Sequence, residues 1–156
     1  MARVGNVPVP EENVVGLAVG LALHRVRPWT LAGARTLHHV VGWPVMAAGT
    51  YLVARSWSAA GPVDLSRPER LVTAGPYAVS RNPMYVGWAL LHLGVGMVTG
   101  SAWILATLPP AAGFVHRGVL AEERALATTF TEEFRRYRAA VPRYLGWNGV
   151  TRSRPR

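Results

Sequence analysis

The chain has 156 residues, a formal net charge of +9 and no cysteine. This length leaves room for one domain, and the lack of thiols excludes disulfide bonds, thiolate metal sites and cysteine nucleophiles. Half of the residues are apolar and only 16% are charged, whereas soluble domains usually have about a quarter charged residues. The apolar residues also fall into runs, so the composition favours a membrane protein.

The positive charge comes entirely from 17 arginines, with no lysine. With abundant alanine, glycine and valine, this bias suggests a GC-rich bacterial genome. Strongly basic chains typically bind nucleic acid, anionic membranes or anionic substrates. The arginines here lie at the ends of apolar stretches, as in cytoplasmic flanks of membrane proteins. We therefore predict the bacterial inner membrane as location, membrane lipids as partners and no nucleic acid. The first 12 residues lack the features of a signal peptide and are expected to stay in the mature protein.

Four apolar runs are candidate transmembrane helices, for which ~20 apolar residues are needed. In chain order they cover roughly 14–26, 31–57, 84–98 and 102–115. The first is short, and the connection at 99–101 predicts a tight hairpin between the last two. Pro109 and Pro110 predict a kink in the fourth. The fold class expected is all-α, an integral membrane bundle of about four transmembrane helices. A soluble bundle of buried helices is the alternative.

Two polar regions separate and follow these runs. The loop from Ser58 to Arg81 is longer than an ordinary turn and is expected to be functional or disordered. Residues 120–142 predict one amphipathic helix, because apolar residues recur there at spacings of three and four. These residues are Leu126, Phe130, Phe134, Tyr137 and Val141. Glu132 and Arg136 have the i,i+4 spacing of a helical ion pair. The tail with Arg152, Arg154 and Arg156 is expected to be disordered and to touch anionic lipid.

The distribution of arginine predicts the orientation in the membrane. The turn at 99–101 has no charge, whereas the loop at 55–83 has four arginines and the part from Arg117 onward has nine. The loop and the C-terminal part should therefore be cytoplasmic. Arg25, Arg27 and Arg35 then fall on the opposite face, a conflict that a half-inserted first helix would remove.

The segment before the third apolar run is the first candidate for chemistry. Gly75-Pro76 and Asn82-Pro83 hold the backbone out of helical geometry, which leaves N–H groups free. Irregular backbone beside a membrane is tolerated where it is buried in protein or lines a wet cavity. We expect a polar pocket at the start of the third helix; an ordinary interfacial loop is the alternative.

The second candidate is the adjacent pair Glu122 and Glu123. Carboxylates near a membrane are costly to desolvate and need a cationic partner. S-adenosylmethionine offers an amino group and ribose hydroxyls to such a carboxylate. The alternative is a solvated helix start, where acidic residues favour the helix dipole.

Together these segments resemble a known family. The chain reads Leu-Val-Thr-x-Gly-Pro-Tyr at 71–77, Arg-Asn-Pro-Met-Tyr-x-Gly at 81–87, Glu-Glu at 122–123, and Phe-Arg-x-Tyr-Arg then Val-Pro at 134–142. This pattern resembles the isoprenylcysteine carboxyl methyltransferases and the related phospholipid N-methyltransferases. The resemblance covers about 50–146, whereas the first 45 residues match only in general character. It implies a single domain over 1–156, with its catalytic core at 50–146 and a basic tail at 147–156.

The resemblance implies S-adenosyl-L-methionine as cofactor and a hydrophobic or lipid-like substrate. The cofactor residues it implies are Leu71, Val72, Tyr77, Arg81, Asn82, Pro83, Met84, Tyr85 and Glu122. The catalytic residues it implies are Arg117, Tyr85 and Glu123. The carboxyl methyltransferases have histidine in place of Asn82, and an arginine that binds the substrate carboxylate in place of Gly118. Both departures favour a substrate other than a carboxylate.

Methyl transfer from a sulfonium mainly needs positioning and desolvation. A carboxylate substrate needs no base, whereas an ammonium must lose a proton, with Glu123, His116 or Tyr85 able to assist. No metal is expected. Two alternatives stay open, an NADPH-dependent membrane reductase of the sterol reductase type and a non-catalytic membrane protein. The sequence also leaves open the substrate, the methylated atom and the oligomeric state.

Overall fold

The computed structural model of the protein describes residues 9–61, 63 and 68–146. These residues form five α-helices, which are α1 Glu11–Val26, α2 Arg35–Ala60, α3 Pro83–Thr99, α4 Ala102–Thr129 and α5 Thr131–Ala140. No strand occurs among them, apart from one isolated bridge between Thr30 and Ser101. The predicted all-α fold is confirmed for this part of the chain. Part of the loop from Ser58 to Arg81, and the basic tail, lie outside the described residues.

Each of the four apolar runs forms one helix, but α4 is much longer than its run. It has 28 residues and continues through Pro109 and Pro110. The single amphipathic helix predicted over 120–142 is wrong, since the chain leaves helical geometry at Phe130, between α4 and α5. The hydroxyls of Thr128 and Thr129 both donate to the Ala125 carbonyl. Such side-chain bonds compete with the helical backbone.

The apolar character of the helices is uneven. Among the described helices, α4 is the only one that is both long and apolar enough to cross a membrane. Helix α3 is apolar but shorter. The prediction of four transmembrane helices is therefore not confirmed. Large apolar side chains nevertheless point outward from α1 and α2, which is typical of a surface that contacts lipid or protein. They include Val14, Val15, Val19, Leu21, Val40, Val41, Trp43 and Tyr51.

The interface between α2 and α3 is built from small residues. A Cβ atom added to Gly49 would lie 2.7 Å from the Gly87 carbonyl oxygen, and one added to Gly94 would lie 2.7 Å from the Met46 Cβ. The helices therefore approach each other at backbone distance. Close packing through glycine is characteristic of helices in membranes, where apolar burial alone does not drive association.

Helix α1 packs against α4 in the same way. Gly16 and Gly20 face α4, and a Cβ atom added to Gly20 would lie 2.7 Å from the Ile104 Cα. His92 of α3 is fully buried beside this interface, where its ring nitrogens meet the Asn13 side chain at 3.1 Å and the Ile104 carbonyl at 3.0 Å. This places a continuous α1 along α4.

The turn between α3 and α4 marks one end of the bundle. Gly100 ends α3 with a φ of +64°, a left-handed conformation that glycine adopts at no steric cost. The Ser101 hydroxyl then accepts a bond from the Ile104 N–H and begins α4. The tight hairpin predicted at 99–101 is confirmed.

The linker between α1 and α2 lies at this same end. The Leu31 N–H donates to the Gly100 carbonyl and the Ala102 N–H donates to the Trp29 carbonyl, both at 2.9 Å. The linker is flanked by three arginines, Arg25, Arg27 and Arg35. They therefore lie at the same end as the uncharged turn, which is the position predicted for them from the sequence if the first helix is complete. The loop before α3 lies at the opposite end.

Candidate functional site

The loop before α3 takes its shape from its glycine and prolines. Gly75, with a φ of +62°, begins a short 3₁₀ helix that runs to Ala78. Pro83 occupies the first turn of α3, where its missing N–H costs no helical bond. Tyr77 is buried, and its backbone carbonyl accepts a 2.7 Å bond from the Tyr137 hydroxyl of α5. The loop is therefore fixed against the C-terminal part of the chain.

A buried ion cluster joins this loop to α4 and to the segment after α5. Arg81 and Arg143 each place an Nη2 atom 2.9 Å from the Glu123 carboxylate. The Arg81 and Glu123 side chains are only 7% and 9% exposed. The hydrogen bond to Glu123 is the main cause of the raised pKa of Arg143. Glu123 is thus neutralised by two guanidinium groups.

Residues on either side of Arg81 bind the same C-terminal segment. The Ser80 hydroxyl and the Asn82 side-chain amide both donate to the Arg143 carbonyl, at 3.2 and 3.1 Å. Arg81 itself donates from Nη1 to the Val141 carbonyl at 2.6 Å and from its backbone N–H to the Pro142 carbonyl at 2.9 Å. The polar residues of the loop motif therefore hold the segment 141–143 in place.

Glu122 differs sharply from its neighbour. Its side chain is exposed, and it has no salt bridge among the residues that the structure describes. Tyr85, on the first turn of α3, lies close enough to interact electrostatically with the Glu122 carboxylate. Burial, and next the charge of Glu122, raise the pKa of Tyr77. Tyr77, Tyr85 and a carboxylate with no cationic partner among the described residues therefore lie close together.

An apolar cavity of about 400 Å³ opens beside this group. Apolar side chains of α3 and α4 form most of its wall, and Tyr85 is one of four polar residues in it. The lining comprises Asn13, Tyr85, Val86, Ala89, Leu90, Leu93, Leu108, Ala112, Val115, His116, Tyr144 and Leu145. Its size and composition are typical of sites for small apolar ligands.

The structure brings together Tyr77, Arg81, Asn82, Tyr85, Glu122 and Glu123 at one end of the bundle. Leu71 and Val72 are half-buried in the loop, and Pro83 and Met84 are buried at the start of α3. Arg117 lies elsewhere on α4, since its exposed guanidinium stacks over the exposed Phe114 ring at 5.5 Å and does not line the cavity. The roles assigned to these residues stay predictions.

Sequence reasoning missed Arg143 and Tyr144, which complete the ion cluster and the cavity wall. They follow directly on the Val141-Pro142 pair that ends the motif. The signal available in the sequence was the need of a buried carboxylate for cationic partners. No group of three or more metal-binding side chains occurs within the described ranges.

The fold and the site define an all-α protein with apolar outer faces and a polar site at the mouth of an apolar cavity. A model of the phospholipid methyltransferase family matches residues 37–133, more than half of the chain. The chain therefore belongs to the phospholipid methyltransferase family, which confirms the resemblance found in its sequence. The match extends from α2 into α5 and includes the loop motif and both glutamates of α4.

One curated protein shares part of the sequence. The cobalt-zinc-cadmium resistance protein CzcN of Cupriavidus metallidurans is 39% identical over 75 residues, which are 47% of this chain and 34% of CzcN. The chain thus matches about a third of the length of that relative. No solved structure matches the chain.

Proposed function

We propose that the protein is an S-adenosylmethionine-dependent methyltransferase of the bacterial inner membrane, acting on a lipid-like or hydrophobic substrate. One observation carries this proposal. Glu122, a carboxylate with no salt bridge in the described part of the chain, lies beside Tyr85, which also lines the apolar cavity. A cationic methyl donor and an apolar acceptor would therefore meet at Tyr85.

The residues present fit this cofactor. Glu122 offers a charge-assisted bond to the amino group, which is stronger than a bond between neutral groups. Leu71, Val72, Tyr77 and Met84 would enclose the rest of the molecule. When bound, the cofactor supplies a methyl group on a sulfonium, whose transfer depends on alignment and exclusion of water.

Glu123, Arg81 and Asn82 support the site in another way. Their side chains are engaged with Arg143 or with one another. They act as positioning residues, because they tie the loop before α3 and helix α4 to the segment that carries Tyr144, a residue of the cavity wall. The geometry thus favours a positioning role for Glu123 over the proton transfer suggested by the sequence.

The orientation follows from the arginines, with α1 to α4 crossing the bilayer. Three of the described arginines flank the α1–α2 linker, at the end of the bundle away from the site. Those at the site end are Arg55, Arg70, Arg81, Arg117, Arg124, Arg135, Arg136, Arg138 and Arg143. Because arginine is enriched on the cytoplasmic side, the site faces the cytoplasm.

Calorimetry with S-adenosylmethionine on the detergent-solubilised protein tests this proposal. The wild type should bind, and Glu122→Gln, which keeps the shape but removes the charge, should lose about 1.5–3 kcal/mol, or one to two decades of affinity. Glu132→Gln on the exposed face of α5 is the matched control and should bind like the wild type.

Two results would contradict the proposal. If the wild type does not bind S-adenosylmethionine, the proposed function is wrong. If Glu122→Gln binds it with the affinity of the wild type, Glu122 is not a cofactor ligand and is an ordinary solvated residue. Incubation of membranes with labelled S-adenosylmethionine, followed by mass spectrometry of the lipid extract, identifies the product.

A further inference from the structure

The wall of the apolar cavity contains one polar pair that the proposed function does not use. His116 of α4 and Tyr144 of the C-terminal segment both line the cavity, and the Tyr144 hydroxyl lies 2.9 Å from the His116 Nδ1. Their ring centroids are 5.9 Å apart. Both side chains are half-buried, so the pair sits at the boundary between the cavity and its polar mouth.

The hydrogen bond leaves the other ring nitrogen available. No described residue forms a hydrogen bond with the Nε2 of His116. A tyrosine hydroxyl both donates and accepts hydrogen bonds, and a neutral imidazole has one nitrogen of each kind. When Tyr144 accepts from the Nδ1–H, the Nε2 carries the lone pair that a base requires. The partner of one nitrogen thereby sets the role of the other.

Among the described residues no cationic side chain lines the cavity, and the guanidinium of Arg143, next to Tyr144, is bound to Glu123. From α3 the facing titratable group is Tyr85, from the C-terminal segment it is Tyr144, and α1 contributes the neutral Asn13. On α4 itself, Arg117 stacks on Phe114 outside the cavity lining. A carboxylate substrate would therefore meet two hydroxyls and an imidazole, with no guanidinium to neutralise it.

We propose that His116 is the proton acceptor for the methyl-accepting group, which is an N–H or O–H nucleophile on an apolar molecule. The nucleophile gives its proton to the His116 Nε2, its lone pair forms the bond to the methyl carbon, and the carbon–sulfur bond breaks with its electrons passing to sulfur. The products are the methylated substrate, S-adenosylhomocysteine and a proton that leaves His116 for water. Histidine is the side chain that most often performs this task.

Tyr144 is a positioning residue in this scheme. Burial raises the pKa of Tyr144, so it remains a hydroxyl through the neutral range. It fixes the orientation of the imidazole ring without competing for the substrate proton. The segment that carries it is held by the ion pair of the preceding Arg143 with Glu123, which connects the buried ion cluster to the proposed base.

This inference rests on the proposed methyltransferase function, so the test measures cofactor binding and methyl transfer separately. The full-length protein in nanodiscs is given labelled S-adenosylmethionine with one of three probes. These are phosphatidylethanolamine vesicles, vesicles that contain a long-chain alcohol, and vesicles that contain a long-chain fatty acid. The variants are His116→Asn, whose amide retains a partner for Tyr144, Tyr144→Phe, and His38→Asn at the far end of the bundle as control.

The expected result is transfer to the amine or the alcohol and none to the fatty acid. His116→Asn should bind the cofactor within a factor of about two of the wild type yet lose ~10²–10⁴-fold in transfer at neutral pH. Its residual activity should rise steadily with pH, because the nucleophile then has to deprotonate unaided. Tyr144→Phe should lose less transfer activity than His116→Asn, and its pH profile should be shifted relative to the wild type. His38→Asn should have the wild-type activity and pH profile.

The outcomes are distinguishable. A wild type that neither binds nor transfers rejects the methyltransferase proposal and this inference with it. Cofactor binding with transfer only to the fatty acid, or to none of the probes, overturns the inference alone. A His116→Asn variant with wild-type rate and pH profile does the same.

Discussion

At the scale of single residues, adjacent glutamates of α4 serve different purposes. They are 100° apart around a helix, so one faces the interior and the other the cavity mouth. Glu123 is bound by two arginines and buried, whereas Glu122 is exposed beside Tyr85. This division gives the two adjacent carboxylates different surroundings, and under the proposed function Glu123 would stabilise the fold while Glu122 would bind the ligand.

Replacing Glu123 should therefore harm stability more than any exposed glutamate would. Glu123→Gln leaves two guanidinium groups close together without their carboxylate, and breaking a buried pair in this way costs about 3–5 kcal/mol. The midpoint of thermal unfolding in detergent is expected to fall clearly. Glu132→Gln, whose ion pair with Arg135 is exposed, should leave that midpoint almost unchanged. Equal midpoints for both variants would show that the buried cluster is not a stabilising feature.

At the scale of secondary structure, the helices depend on glycine where they meet. The α2–α3 interface has glycine on both sides, and any Cβ there would overlap backbone atoms of the facing helix. This geometry brings α3, which carries Tyr85, to a fixed distance from α2. The position of Tyr85, and with it of the cavity mouth, thus depends on the packing of α2 against α3.

Gly94→Ala tests this dependence. Its Cβ would lie 2.7–2.9 Å from three atoms of Met46, and overpacking of this kind costs about 1–3 kcal/mol. Gly113→Ala on α4 is the control, because nothing lies within 4 Å of its added Cβ and alanine favours a helix. Denaturant titration in mixed micelles should show Gly94→Ala less stable and Gly113→Ala no less stable than the wild type. The same stability for both would mean that the interface adapts without strain.

Most of these helices could be predicted from the sequence, because a long apolar run bounded by arginine, glycine or proline is compatible with few structures other than a helix. It placed α3 within one residue at each end. It failed at Phe130, since a stripe of apolar residues continues across the break and the threonines that interrupt the backbone bonding give no periodic signal. It also missed Arg143 and Tyr144, whose roles depend on contacts across 20 or more residues of chain. The spacing of residues within one helix does not indicate which distant residues will pair.

At the scale of the whole molecule, glycines and polar residues lie at the contacts between helices, and many large apolar side chains of α1 and α2 are exposed. The site lies at one end, together with most of the described arginines, and the hairpin turn lies at the other. This arrangement predicts a fixed orientation across the bilayer, with the two ends exposed to different compartments.

Cysteine labelling tests that orientation on a chain without cysteine. Ser80 and Ser101 are buried, so Val79→Cys and Thr99→Cys, which are exposed, are the better positions. In intact cells an impermeant maleimide should label Thr99→Cys, and Val79→Cys should react only after the membrane is opened. Labelling of both from one side would show that the hairpin does not cross the bilayer.

The ion cluster also has a consequence for the order of events during synthesis. Arg143 and Tyr144 leave the ribosome after the five described α-helices have been made, yet they supply the second cation for Glu123 and part of the cavity wall. A growing chain that has folded only as far as α4 therefore lacks part of the cavity wall. Under the proposed function, methyl transfer would begin only when the last segment has folded back onto α3 and α4, because a shorter chain has the residues of the loop but not Arg143 and Tyr144.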